Sequence, residues 1–237
     1  MSFDEKVTFS KDNLEVYLKA LAKEYRKLGG KSVPAEIVLI GGASVLINYG
    51  FRDMTTDIDA VIRAASTMKD AINHVSDEYG LPNGWLNEDF KETSSYTPKL
   101  LQYSIFYKEY YGVMAVRTVS AEHLIAMKLM AGRQYKNDLS DIIGILAEHQ
   151  KTGRPITKEM VREAVVDLYG EWDVLSDTAK IFIDDVMESG DYEEMHKEIS
   201  TEEKVTKASL IEFEEKYPDS VNKGNVEEII AKLKQKG

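Results

Sequence analysis

Two aspartates separated by one residue stand at the start of an apolar segment, and their spacing suits metal chemistry. Asp57 and Asp59 occur in the stretch TTDIDAVI, which has the composition of a β-strand. Side chains at positions i and i+2 of a strand point to the same face, so the two carboxylates converge. Carboxylates this close repel each other unless a proton or a cation lies between them. Mg²⁺ and Mn²⁺ prefer such oxygen ligands, so the pair predicts a divalent metal site with Asp57 and Asp59 as ligands.

A diglycine turn lies upstream of this pair. Gly41 and Gly42 follow the apolar segment AEIVLI and precede ASVLINY, which is typical of a short helix. Glycine lets backbone N–H groups approach a phosphate closely, and a helix N-terminus favours anions. Ser44 would add a hydroxyl. Each signal alone is more often structural, but their order and spacing together predict a nucleoside triphosphate site of the kind used in phosphoryl or nucleotidyl transfer.

The elements that must position these residues are indicated by hydrophobic periodicity and by capping residues. We predict strands at residues 35–40, 57–62, 100–107 and 113–119 and helices at residues 10–28, 43–49 and 66–79. Six more helices are predicted at residues 120–132, 137–151, 157–169, 176–189, 202–217 and 226–236. For residues 81–97 we predict a loop over the site, in which Trp85 faces the substrate. The fold class is therefore α/β (α+β), with a small mixed-sheet core at residues 1–119 and a helical region at residues 120–237 that completes the site.

Composition limits the classes of partner and compartment. The 237 residues carry a net charge of −11, which argues against an extended surface for duplex nucleic acid. There is no cysteine and no apolar run long enough to cross a membrane, so we predict a cytoplasmic protein without a membrane partner. A local basic cluster, Lys128, Arg133 and Lys136, suits one small anionic ligand such as a nucleoside triphosphate.

The stretch GGAS followed by DID resembles the signature of the DNA polymerase β-type nucleotidyltransferase superfamily. More narrowly, "GFRDMTTDIDAVI" and "SAEHLIAMKLMAGRQYKNDLSDIIGIL" resemble the bacterial nucleotidyltransferases related to AbiEii-type toxins, and the resemblance covers residues 35–147. It implies a metal-dependent transfer of NMP from a nucleoside triphosphate to an acceptor, with tRNA, a protein and a small molecule as the alternatives for that acceptor. It also implies a toxin role, with an antitoxin protein as a partner.

The resemblance assigns roles to further residues. It implies that Lys128 contacts the nucleotide's phosphates and that Thr56 belongs to the nucleotide site. It places an acidic residue of NDLSDIIGIL in the active site, with Asp141 as first choice and Asp138 as second. From its position between two predicted helices, Arg133 would bind phosphate or pair with either aspartate.

One departure from the superfamily pattern keeps other functions open. Many members carry a third metal-binding carboxylate on a later strand, but both later predicted strands lack an internal acidic residue. The third carboxylate is then Asp141, Asp138, Glu109 near the hairpin, or absent. If it is absent, the chain is a catalytically silent domain that binds a nucleotide or a protein. A nucleotide-sugar glycosyltransferase with a D-x-D metal site is a further alternative.

Overall fold

A five-stranded mixed sheet organises the first half of the chain. The computed structural model describes residues 7–133, 136–218, 220–222 and 225–234. The strands are β1 (Ala35–Leu39), β2 (Ile58–Arg63), β3 (Leu86–Asn87), β4 (Ser104–Tyr110) and β5 (Met114–Val119), in the spatial order β3-β2-β1-β5-β4. Strand β1 pairs antiparallel with β2 and parallel with β5, and β5 pairs antiparallel with β4. The mixed sheet and the helices that follow it confirm the predicted fold class.

The helices agree with the sequence pattern except at one place. They are α1 (Lys11–Tyr25), α2 (Gly41–Asn48), α3 (Thr67–Tyr79), α4 (Ala121–Ala131), α5 (Asp138–Lys151), α6 (Lys158–Tyr169), α7 (Asp177–Ser189), α8 (Tyr192–Lys216) and α9 (Val226–Lys234). The exception is α8, which begins ten residues before its predicted start at residue 202. Its first turns, YEEMHKEIS, lie outside the predicted helix, although Tyr192, Met195 and Ile199 stand at helical spacing. Residues 235 and 236, which were predicted to extend α9, lie outside the described residues.

The segment predicted as a loop over the site is mostly irregular but contains two short regular elements, and the predicted placement of Trp85 on the substrate side is wrong. It contains β3, which pairs in parallel with β2, and a 3₁₀ helix at Asp89–Glu92. The side chain of Trp85 is only 2% exposed, and its indole N–H donates to the carbonyl of Ile72 at 3.4 Å. Its ring stacks on Phe9 with the centroids 6.1 Å apart. Trp85 therefore anchors this segment against α3 and does not face a substrate.

The described chain forms two compact units that are interleaved in sequence. The first contains residues up to Met127 together with Glu159–Val174, and the second contains Lys128–Lys158 and the residues from Leu175 onward. The division predicted between residues 119 and 120 stays a prediction. Across the described residues, no helix combines the length and the apolar character that a membrane span requires.

The core of the first unit decides which way the acidic pair faces. Ile58 and Ala60 of β2 belong to this core, where they pack with residues of α1, α2 and α3. Because successive side chains of a strand point to opposite faces, Asp59 lies on the face away from this core and is half-buried. Asp57 immediately precedes β2 and is exposed.

The burial of Trp85 leads to a first prediction. Replacing Trp85 with alanine should lower the free energy of unfolding by about 3–5 kcal/mol, because it leaves a cavity in the core. The control is Phe106→Ala, since Phe106 is 59% exposed and its loss should change stability by less than about 0.5 kcal/mol. Urea unfolding measures both. A Trp85→Ala protein of unchanged stability would contradict the buried position.

Candidate functional site

The pairing of β1 with β2 places the diglycine turn beside Asp59. The backbone N–H of Ile40 donates to the carbonyl of Asp59 at 2.9 Å, so the end of β1 is fixed to the start of β2. Gly41 follows with a φ of +53°, in the left-handed region where a side chain is unfavourable. A Cβ placed at Gly41 would lie 3.9 Å from Oδ2 of Asp59. A bare backbone turn and a carboxylate oxygen are thus neighbours, as the sequence spacing implied.

The second glycine makes room for a cation and a hydroxyl. A Cβ at Gly42 would lie 2.8 Å from Nη2 of Arg52 and 2.9 Å from Oγ1 of Thr55, which is too close for any side chain. The Nε atom of Arg52 donates to the carbonyl of Met54 at 3.2 Å, which fixes part of the guanidinium. Gly42 is therefore the residue that lets the guanidinium lie against the start of α2.

Thr55 orients the first aspartate of the pair. Its hydroxyl lies 3.2 Å from Oδ1 of Asp57, and its side chain is buried. Two backbone hydrogen bonds with Phe9, of 2.7 and 2.9 Å, fix Thr55 in place. Sequence reasoning chose the exposed Thr56 and missed Thr55, although both stand in the same motif. The nucleotide-binding role of Thr56 stays a prediction.

Ser44 lies in the first turn of α2 and is fully buried. Its backbone N–H donates to the carbonyl of Ile40 at 3.3 Å, as expected within a helix. Its hydroxyl has no hydrogen-bond partner among the described residues. A buried hydroxyl without a hydrogen-bond partner destabilises the folded state. The predicted contact of Ser44 with phosphate stays a prediction.

Lys128, Arg133, Asp138 and Asp141 lie together in the second unit. The Nζ atom of Lys128 is 2.7 Å from Oδ2 of Asp141 and 3.1 Å from Oδ1 of Asp138. All three of these side chains are almost completely buried. Arg133 Nε donates to Oδ2 of Asp138 at 2.8 Å, so pairing with an aspartate is the alternative that the structure shows for Arg133. Lys128 thus has an anionic partner, as its position on an apolar helix required.

The ionisation of Asp138 depends on this network. Burial opposes the charged carboxylate, but the charges of Lys128 and Arg133 and their hydrogen bonds outweigh it, so the pKa of Asp138 is lowered. The site is therefore a set of compensated buried charges. The phosphate-binding role of Lys128 and Arg133 and the catalytic role of Asp141 stay predictions.

Glu203 of α8 holds the first turn of α5, on which both aspartates lie. Its Oε1 accepts hydrogen bonds from the backbone N–H groups of Leu139, at 3.0 Å, and Ser140, at 3.3 Å. The hydroxyl of Ser140 donates to its Oε2. Burial raises the pKa of Glu203 to about 7, against the opposing effect of these hydrogen bonds. Sequence reasoning missed Glu203, since it stands among many acidic residues of α8 with no distinguishing spacing.

Of the candidates for a third carboxylate, Glu109 lies at the wrong end of the sheet. It pairs with Ala115 of β5, three residues or about 10 Å before Thr118, the residue that pairs with the end of β1. Glu109 is therefore distant from the Gly41 turn along β5. Asp138 and Asp141 both lie in the second unit.

The comparison with protein families identifies the class of this site. A sequence model described as "Nucleotidyltransferase of unknown function (DUF6036)" matches residues 16–150, more than half of the chain. The chain belongs to this family. The match spans the diglycine turn, the acidic pair and the Lys128 network, and it supports the nucleotidyltransferase resemblance. It does not confirm the narrower likeness to AbiEii-type toxins.

Neither the curated proteins nor the solved structures contain a match to the chain. The family assignment therefore depends on the sequence model alone.

The ion pairs of Lys128 lead to a second prediction. Lys128→Met should lower the free energy of unfolding by about 3–5 kcal/mol, because two buried carboxylates lose a cationic partner. Lys151→Met is the matched control: Lys151 is 52% exposed, its bond with Glu193 is 2.8 Å, and its loss should leave the stability nearly unchanged. Chemical denaturation near neutral pH measures both. Equal stability of the two variants would show that the Lys128 network does not support the fold.

The raised pKa of Glu203 leads to a third prediction. The ordinary pKa of a glutamate is 4.5, and the pKa of Glu203 in the folded protein is about 7. Between these two pH values the folded state binds a proton that the unfolded state has lost, so Glu203 stabilises the fold at low pH. That stability disappears as the pH rises through about 7. Each pKa unit corresponds to about 1.4 kcal/mol, so Glu203→Gln should gain about 2–3 kcal/mol relative to the wild-type protein between about pH 5 and about pH 8. Urea unfolding across that range measures the difference, and a constant difference would contradict it.

Proposed function

We propose that this member of the family is a metal-dependent nucleotidyltransferase that transfers NMP from a nucleoside triphosphate to an acceptor. The observation that carries the proposal is the position of the Asp59 carboxylate beside the Gly41 turn. A phosphate on the turn and a cation on the carboxylate would then be adjacent. That arrangement is the one a metal-chelated triphosphate requires.

The acidic pair fits a magnesium or manganese ion that is shared with a substrate. Within the described part of the chain, no three side chains of the metal-binding types form a complete cage. Mg²⁺ in nucleotide sites is commonly held by one or two carboxylates, with phosphate oxygens and water completing its shell. Asp57 and Asp59 supply that number of carboxylates. When bound, the ion would neutralise charge on the triphosphate.

The remaining residues of the first unit have complementary roles in this proposal. The free N–H groups at the start of α2 would bind the β- and γ-phosphates, with Gly41 and Gly42 allowing their approach. The guanidinium of Arg52 adds a positive charge next to this turn, and Thr55 holds Asp57 in orientation. Ser44 and Thr56 would add hydroxyl contacts. The phosphate-binding roles of Lys128 and Arg133 and the catalytic role of Asp141 belong to the proposal as implications of the resemblance.

A catalytically silent nucleotide- or partner-binding domain is the second candidate. It is favoured by the composition of β4 and β5, in which Glu109 is the one acidic residue and lies far along β5 from Gly41. Family membership favours nucleotidyl transfer over a nucleotide-sugar glycosyltransferase. The proposal also includes three extensions of the resemblance. The protein would act as a toxin with a protein antitoxin, it would be located in the cytoplasm, and its acceptor would be tRNA, a protein or a small molecule.

The acidic pair gives the fourth prediction. Asp57→Asn and Asp59→Asn should each lower pyrophosphate release from Mg²⁺–nucleoside triphosphate by at least about 100-fold, because the amide carries no charge to hold the cation. Asp53→Asn is the control, since Asp53 is an exposed aspartate of the same segment. Pyrophosphate is measured with each triphosphate and a bacterial extract as the source of acceptor, and calorimetry measures binding.

Three outcomes separate the candidates. Binding and pyrophosphate release that both depend on Asp57 and Asp59 support the transferase. Binding that depends on them without pyrophosphate release supports the silent domain. Unchanged activity and binding in both variants would overturn the metal site.

A further inference from the structure

A serine, a histidine and an aspartate form a hydrogen-bonded chain in the first unit, outside the acidic pair. The hydroxyl of Ser120 lies 2.7 Å from Nδ1 of His123, and Nε2 of His123 lies 3.2 Å from Oδ2 of Asp167. The imidazole is buried, Ser120 is half-buried, and the Asp167 side chain is 42% exposed. Along this chain of hydrogen bonds, Ser120 is a candidate nucleophile, His123 a candidate base, and Asp167 the carboxylate that orients the base.

The acidic partner favours one tautomer of a neutral imidazole. A carboxylate accepts hydrogen bonds, so in that tautomer Nε2 carries the proton that faces Asp167. Nδ1 then has a lone pair, which accepts a hydrogen bond when the Ser120 hydroxyl turns its proton from Glu122 toward it. In that arrangement the hydrogen bond points in the direction that transfers a proton from serine to histidine.

Helix capping does not account for this serine. Ser120 precedes α4, and its carbonyl accepts the N–H of Leu124 at 2.8 Å, as the residue before a helix should. A capping hydroxyl accepts a backbone N–H two or three residues later. Among the described residues, the Ser120 hydroxyl bonds instead with the side chains of His123 and Glu122. By contrast, the Ser10 hydroxyl accepts the N–H of Asn13 at 3.3 Å.

The sheet places Ser120 at the same edge as the diglycine turn. Strands β1 and β5 run parallel, and Leu39 pairs with Thr118. Gly41 lies two residues after Leu39, and Ser120 lies two residues after Thr118. Paired strands lie about 4.8 Å apart. Ser120 thus leaves the sheet next to the turn that Asp59 adjoins.

Two carboxylates flank the imidazole of His123. Oε1 of Glu122 lies 3.5 Å from Nδ1, so the imidazole lies between the carboxylates of Glu122 and Asp167. The bond with His123 lowers the pKa of Glu122 to about 2, although burial opposes this. The ring of Tyr103 stacks on the imidazole with the centroids 3.8 Å apart. An imidazolium that forms by accepting a proton is therefore held between two anions.

We propose that Ser120 is itself an acceptor of the nucleotidyl group and that His123 is its base. This inference depends on the proposed transferase function. Oγ of Ser120 attacks the α-phosphorus of the triphosphate, and a bond forms between Oγ and phosphorus. The bond from the α-phosphorus to the oxygen that bridges to the β-phosphorus breaks, and pyrophosphate leaves. The serine proton passes to Nδ1 of His123 and then to water. Asp167 and Glu122 stabilise the intermediate imidazolium.

The fifth prediction is a covalent mark. The full chain incubated with Mg²⁺ and each nucleoside triphosphate should gain the mass of one nucleoside monophosphate, located at Ser120 by peptide mass spectrometry. Ser120→Ala should abolish the gain. His123→Gln should slow it by at least about 100-fold through loss of the base. The control is Ser10→Ala, which removes a capping serine of the same unit and should leave the modification unchanged.

Each result distinguishes this inference from the proposed function. Modification at Ser120 that requires His123 supports both. Pyrophosphate release with bacterial extract, but no modification of Ser120 or an equal gain in Ser120→Ala, overturns the acceptor role and leaves the transferase intact. A protein that neither binds Mg²⁺–nucleotide nor releases pyrophosphate overturns both.

Discussion

The hydrogen bond from the Ile40 N–H to the Asp59 carbonyl is the constraint on which the candidate site depends. It fixes the antiparallel pairing of β1 and β2, and with that pairing it fixes which residue of the acidic segment adjoins the diglycine turn. A slip of one residue would turn Asp59 into the core and expose Ile58. The apolar packing of Ile58 and Ala60 therefore specifies the position of the carboxylate as strongly as any polar contact does.

Much of the fold was predictable because its elements repeat apolar residues at the period of a helix or a strand. The ends of α1 and α3 follow from local capping, by Ser10 and by Gly80 in a left-handed conformation. One feature was not predictable by this means. Strand β3 has only two residues, too few to show alternation, and it exists because β2 offers a free edge. The start of α8 follows the pattern, since Tyr192, Met195 and Ile199 are spaced three and four residues apart, but it was not recognised.

The candidate site was predictable where it is local and not where it depends on distant residues. Gly41, Gly42, Asp57 and Asp59 lie within one segment, so their spacing identified them. Thr55 supports Asp57 through a backbone bridge to Phe9, which no local pattern indicates. His123 and Asp167 are 44 residues apart. No local spacing links His123 to Asp167, because only the folded first unit brings the two side chains together.

The residues that support the site extend past the end of the family match at residue 150. Asp167 of α6 orients His123, and Glu203 of α8 accepts hydrogen bonds from the backbone N–H groups at the start of α5. A chain cut after the matched segment would leave those buried N–H groups without an acceptor and the imidazole with one anion fewer. We therefore expect the portion that sequence comparison delimits to be less stable without the helices beyond it.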